Sequence, residues 1–273
     1  MDYVKPSQML ESLIALGEAK SKLPVTQKLV RSGLAGAILG CATTLAFTAS
    51  VQTNLPIAGA VLFPVGFVLI LLMGLELVTG SFAALPLAVL KGRTSAGKMA
   101  SSFAWALIGH VIGAGLYAAL YTMAVTKMGH DMSNPLVQAV ISAAEGKTNA
   151  YSHLGADGWM LAFVKAMLCN WMVALGVIMS LSSTSTIGKI AAMWMPILLF
   201  FGQGFEHLIV NMFLLPAGLM LGANYSFADI LVWNWIPVLL GNFAGGTICT
   251  GLLFYLAHRE RTAEAGSIDG LPR

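Results

Sequence analysis

Six long apolar stretches joined by short polar segments constrain this chain more than any other feature. They run at about residues 32–52, 57–90, 101–126, 158–183, 190–222 and 228–257, each as long as the roughly 20 residues that a helix needs to cross the hydrocarbon of a bilayer. Only 10% of the residues are charged and 57% are hydrophobic, so there is too little polar surface to face water and lipid is the natural solvent. The pattern is that of an all-α integral membrane protein with six transmembrane helices. It argues against a soluble enzyme and offers nothing for nucleic acid.

Ahead of the first stretch, PSQMLESLIALGEAK sets Met9, Leu10, Leu13, Ile14 and Leu16 at three- and four-residue spacings, with Glu11, Glu18 and Lys20 between them. This is an amphipathic helix, expected to lie on the membrane surface or to pack on a neighbouring subunit. No small-residue cleavage pattern closes an early apolar region, so no removable signal is expected. Basic residues set the orientation. Lys5, Lys20, Lys22, Lys28 and Arg31 precede the first span, Lys91, Arg93 and Lys98 join the second to the third, Lys189 joins the fourth to the fifth, and Arg259, Arg261 and Arg273 follow the sixth. The opposite connections hold only Lys127 and Lys147, an asymmetry that places both termini in the cytoplasm. The chain is thus expected to be one membrane domain over 1–273, with a leader helix over 1–27, a six-span body over 28–257 and a cytoplasmic tail over 258–273. Cys41, Cys169 and Cys249 lie inside spans without disulfide or ligand spacing and read as small packing residues.

The second and fifth spans are too long for one straight crossing, and each carries a polar motif: GLELVTGS at Gly74–Ser81 and GFEHLIVN at Gly204–Asn211. The third and sixth spans share a second motif, GHVIGA at Gly109–Ala114 and GNFAGG at Gly241–Gly246. Two three-helix halves are implied, and because three is odd the second half enters the membrane from the opposite side. Inverted repeats of this 3+3 kind typify transport proteins, whose substrate sites form where matching helices are interrupted. Spans two and five are therefore expected to be broken helices. Non-helical backbone at membrane depth must be buried in protein or line a polar cavity. Glu76 and Glu206 are placed to accept hydrogen bonds from its free N–H groups, a structural role favoured over contact with an anion they would repel. Gly36 with Gly40, Gly109 with Gly113 and Gly241 with Gly245 form small-xxx-small patches suited to close helix packing.

Together with KAMLCNWMV at Lys165–Val173 and GFEHLIVNMF at Gly204–Phe213, these motifs, the leader and the six spans resemble the formate/nitrite transporter family over nearly the whole chain. The resemblance implies an aquaporin-like protomer in a homo-pentamer, each protomer with its own pore. It implies transport of small monovalent anions, nitrite or formate, across the cytoplasmic membrane, with protons as the other partner and neither cofactor, metal nor enzymatic step. Hydrosulfide or another weak-acid anion is the alternative cargo. By motif position, His207 is the strongly titratable group at the pore centre and Thr79 lies opposite it. Leu77 with Phe63 and Phe67 forms one apolar constriction, and Phe200 belongs to the other. Leu75, Val78, His110 and Leu208 depart from the family's usual residues and bear on anion preference.

Elementary chemistry gives these residues a reason to be there. A bare anion crossing greasy constrictions pays a large desolvation penalty that its neutral acid largely avoids. Imidazole, with an unperturbed pKa near 6.5, can supply or share a proton, which makes transport pH-dependent through His207. Thr79 and Asn211 are expected to fix the ring's orientation by hydrogen bonding. Lys165, several residues inside the fourth span, either faces the path and draws anions in, with Asn170 five residues on, or snorkels to the headgroups. Phe63, Phe67 and Phe200 also suit a plain core role. His110, in a glycine-rich patch, reads as a packing histidine bonded to a carbonyl in preference to a second titrating group. Two rivals are weaker. A neutral-solute channel would need Asn-Pro-Ala at both half-helix ends, and Asn134-Pro135 lies in the outer loop. A haem-binding redox protein built on His110 and His207 would need paired-histidine or Cys-x-x-Cys-His spacing, which the sequence lacks.

Overall fold

In hydrocarbon a backbone N–H or C=O finds no partner outside its own segment, so long apolar runs become helices. The computed structural model describes residues 2–259, and its regular structure is helical. Among these residues the β-pairing is confined to one isolated bridge between Tyr3 and Ser183. The helices are α1 (Pro6–Ser21), α2 (Val25–Thr53), α3 (Pro56–Leu62), α4 (Pro64–Leu72), α5 (Val78–Leu90), α6 (Ala96–Val125), α7 (Pro135–Glu145), α8 (Asn149–His153), α9 (Ala156–Ser180), α10 (Thr186–Gly202), α11 (Leu208–Met220) and α12 (Phe227–His258). Four of them, α2, α6, α9 and α12, are long and apolar enough to cross a membrane, and the remaining apolar segments are shorter. The expected tail lies, from residue 260 on, outside the described residues, as do Arg261 and Arg273.

The two overlong stretches are interrupted at their Gly-x-Glu motifs, and the cause is local. Gly74 adopts φ +62° and Gly204 φ +65°, the left-handed conformation in which a glycine ends a helix at no steric cost. The N–H groups of Gly74 and Leu75 turn back onto the carbonyls of Leu71 and Ile70, and those of Gly204 and Phe205 onto Phe201 and Phe200. The chain then leaves the helical region until Leu77 and His207, both extended, which start α5 and α11.

Close backbone approach explains the small-residue patches. A Cβ at Gly113 of α6 would collide with the Gly33 carbonyl of α2, and one at Gly245 of α12 with the Met167 carbonyl of α9. The patches therefore pack helices of one chain against each other.

The leader corrects an expectation. α1 does not lie out on the membrane surface or await a neighbour: Met9, Leu10, Leu13 and Ile14 are buried within its own chain, and Gly17 sits against the Ala84 carbonyl of α5. A glycine at that point lets two backbones approach, so the apolar face gains dense protein packing that disordered lipid cannot supply. An ion pair between Arg93 and Glu11, 2.9 Å, holds its exposed side. The long connection before α9 is also more than loop, since α7 and α8 bury Val137, Val140, Ala144 and Tyr151. On the outside, Ile112, Leu116 and Leu120 of α6 are 61, 61 and 54% exposed, an apolar stripe at four-residue spacing that suits lipid or another subunit.

Candidate functional site

The two interrupted helices meet at their starts. Thr79 stands in the first turn of α5 and His207 is the N-cap of α11, and Thr79 Oγ1 lies 3.0 Å from His207 Nε2. Both helix N-termini, the positive ends of their dipoles, thus converge on one buried point. The hydrogen bonds assign the ring's tautomer. The Val210 N–H can only donate, and it donates to His207 Nδ1 at 3.3 Å. Nδ1 is therefore the unprotonated nitrogen and the ring hydrogen sits on Nε2, directed at Thr79. The Thr79 hydroxyl accepts that hydrogen and keeps its own free to donate. Phe200 stacks on the imidazole with ring centroids 5.7 Å apart. His207 and Thr79 are both buried.

Each break carries a buried carboxylate paired with a lysine from far away in the chain. Lys20 Nζ lies 3.1 Å from Glu76 Oε1, and Ser81 donates to the same oxygen. Lys147 Nζ lies 2.8 Å from Glu206 Oε2, while the Tyr151 hydroxyl donates to Oε1 at 2.7 Å and Asn211 Nδ2 to Oε2 at 2.7 Å. Asn211 also donates to Asn234 Oδ1, whose own amide returns to the Lys147 carbonyl, closing a ring around Glu206. Both carboxylates are thus engaged by a lysine and by side-chain donors, not by the free N–H groups at the breaks. A carboxylate this deep requires a full counter-charge, which backbone dipoles do not provide.

The free N–H groups go elsewhere. Val78 donates to His110 Nε2 at 3.1 Å, and Leu208 donates to Asn242 Oδ1 at 2.9 Å. His110 and Asn242 occupy the same place in GHVIGA and GNFAGG, so matching motifs anchor matching loops. His110 therefore accepts a backbone N–H through Nε2, whose lone pair is committed, and carries its ring hydrogen on Nδ1. Asn242 Nδ2 donates to the carbonyls of Ala166 and Glu206, and Asn170 Nδ2 donates to those of Thr79 and Asn242. His110→Asn is expected to retain stability, because an amide oxygen can accept the Val78 N–H as Asn242 does for Leu208. His110→Leu is expected to lose about 1–3 kcal/mol by orphaning that buried donor. Thermal unfolding of the two purified variants checks this.

Several expected site residues come together and others do not. Asn211 serves Glu206 and Asn234, not the His207 ring, because an amide donor one turn into α11 finds the nearby carboxylate the stronger acceptor. Phe63 packs among the phenylalanines of α10. Its ring meets Phe200 edge-on at 5.8 Å and stacks on Phe201 at 3.9 Å. Phe63 and Phe67 are a full turn apart, about 6 Å along the axis. Phe67 instead packs where a Cβ on Gly176 of α9 would touch it. Leu77 lines a cavity of about 390 Å³ on the side of α1, with Lys20, Glu76, Arg31 and Lys189. Lys165 is half-buried, with its ammonium 5.9 Å from the centroid of the Tyr151 ring.

Lys20, Lys147, Tyr151, Asn234 and Asn242 are site residues that sequence reasoning missed. Lys147 could have been found, since a basic residue on the sparsely charged side of a membrane protein calls for a reason. Asn242 was visible in a motif read for its repeat and its glycines, with no partner assigned to its polar side chain.

Comparisons with known proteins agree on one family. A family model described as formate/nitrite transporter matches residues 7–256. The chain is 32% identical over 272 residues to a probable formate transporter of Methanothermobacter thermautotrophicus, covering 94% of this chain and 97% of that one. It is 31% identical over 269 residues to a protein of Bacillus subtilis (strain 168) named as the uncharacterized transporter YrhG, covering 96% of each. Among solved structures, an FNT family ion channel superposes with a TM-score of 0.80 at 27% identity, covering 92% of this chain and 98% of that one.

Proposed function

The chain belongs to the formate/nitrite transporter family, and from that premise we propose that each protomer conducts formate and nitrite past His207 by hydrogen-bond donation at the junction of α5 and α11. It is a transporter in the membrane, not an enzyme. The observation that carries the reading is the 3.0 Å contact between Thr79 and His207, which puts two neutral donors where two helix dipoles point. In this reading α3 with α4 and α5, and α10 with α11, are two broken crossings, giving six in an inverted 3+3 arrangement of the aquaporin-like kind. The excess of Lys and Arg on the leader's side supports cytoplasmic termini in the inner membrane. The domain is one unit, 1–273, and the assembly a homo-pentamer, as the family resemblance implies.

The path has three stages. An anion enters the cavity lined by Lys20 and Glu76 and reaches Leu77, with Phe67 beside it, where it must shed water. Desolvation disfavours the charged form of any acid, so the anion takes up a proton from solvent as it enters the apolar zone. Thr79 Oγ1 and His207 Nε2 then offer hydrogen bonds in place of water. Phe200 and Phe63 form the second constriction, beyond which Lys165 attracts the re-ionised anion on the far side. Asn170 holds the Thr79 carbonyl and keeps α5 in register. Glu76, Glu206 and Asn211 support the breaks. The lone pairs a haem iron would need on His110 and His207 are occupied by Val78 and Val210 N–H groups, which disfavours the redox alternative.

Purified protein in liposomes is expected to take up formate and nitrite saturably, faster as external pH falls. Uptake of neither anion above that of empty liposomes would contradict this function.

A further inference from the structure

The cavity on the leader's side carries more positive charge than the Lys20–Glu76 pair accounts for. Arg31 on α2 and Lys189 on α10 line it beside Leu77, and among the described residues neither is ion-paired with a carboxylate. With Lys20 offset by Glu76, two cations line one cavity of about 390 Å³ without a paired carboxylate among the described residues. Arg31 is half-buried, and a guanidinium N–H makes one long contact, 3.5 Å, to the Gly74 carbonyl. That carbonyl belongs to the glycine turn ending α4, so the guanidinium is held over the loop that carries Leu77. Five donors fan out in a guanidinium plane, and one weak contact leaves the rest for the cavity.

We propose that Arg31 is the oxyanion-selecting residue of this mouth: its guanidinium binds a planar O–C–O or O–N–O group through two parallel N–H···O bonds just before Leu77, with Lys189 adding charge. The proposal rests on the transport reading above. A guanidinium fork matches two oxygens on one centre and has no matching geometry for a one-atom acceptor such as hydrosulfide. Charge alone attracts both kinds of anion, and the fork separates them. Lysine at this position would keep the attraction and lose the separation.

The test is competition against labelled formate uptake in liposomes containing the full chain, comparing the concentrations of nitrite and of hydrosulfide that halve uptake. Wild type is expected to be inhibited by nitrite at the lower concentration. In Arg31→Lys the half-inhibiting concentration of nitrite is expected to rise about tenfold, while that of hydrosulfide moves by less than about twofold. Arg31→Gln, which can still donate to the Gly74 carbonyl but carries no charge, is expected to raise both. An unchanged nitrite-to-hydrosulfide ratio in Arg31→Lys overturns the proposal and leaves Arg31 a support for the loop. A wild type without formate uptake overturns the transport reading and this site with it, a failure seen before any variant is compared.

Discussion

Lys147→Met is expected to destabilise the protein by about 3–5 kcal/mol, because it leaves a buried carboxylate without its counter-charge. Glu206 is 1% exposed on its side chain and depends on an ammonium at 2.8 Å. The Tyr151 and Asn211 donors cannot replace a full charge at that depth. The double variant Lys147→Met with Glu206→Gln is expected to recover most of the loss, since a neutral amide has no charge left to bury and can still bond Tyr151 and Asn211. Thermal unfolding in detergent reads both. The same substitution at Lys20 is expected to cost less, because the Glu76 side chain is 7% exposed and borders the cavity, where water can solvate it.

His207→Phe is expected to abolish formate and nitrite flux, whereas His207→Asn retains a measurable part of it. Phenylalanine fills the space and offers no donor, so the anion's acid crosses the narrowest region with Thr79 alone. Asparagine cannot carry a proton at physiological pH but can donate a hydrogen bond. The geometry makes these outcomes different because Val210 occupies Nδ1. A neutral imidazole with its hydrogen on Nε2 is a hydrogen-bond donor and a very poor acid. For the ring to become an acid it must first take a proton on Nδ1 and release the Val210 N–H, disturbing the first turn of α11. The faster uptake at low pH is therefore expected to survive in His207→Asn, since it comes from protonation of the anion. Its loss in that variant would make His207 the proton donor.

The long apolar runs, the positions of both helix breaks and the buried polar residues Glu76, His207 and Glu206 beside them were legible in the sequence because each is written locally. Gly74 and Gly204 stop helices by their own backbone freedom, and a polar residue in an apolar run marks itself. What was not legible is contact between distant segments. Lys20 reaches Glu76 across 56 residues and Lys147 reaches Glu206 across 59, and no local pattern ties one to the other. Asn211 was assigned to the ring because it lies one turn away, but the carboxylate beside it competes better for its amide. Phe63 was placed with Leu77 and Phe67 by motif position, which says nothing of its neighbours on another helix. Its contacts with Phe200 and Phe201 become visible only in the structure.

The central claim is that donors at the junction of α5 and α11 let a small weak-acid anion through each protomer. Formate uptake into liposomes carrying wild type or His207→Phe, at matched protein content and at two external pH values, tests it most directly. The expected result is saturable uptake by wild type that rises at the lower pH, with none above empty liposomes for His207→Phe at either. Equal uptake by both proteins would contradict the claim and leave His207 a packing residue at the start of α11.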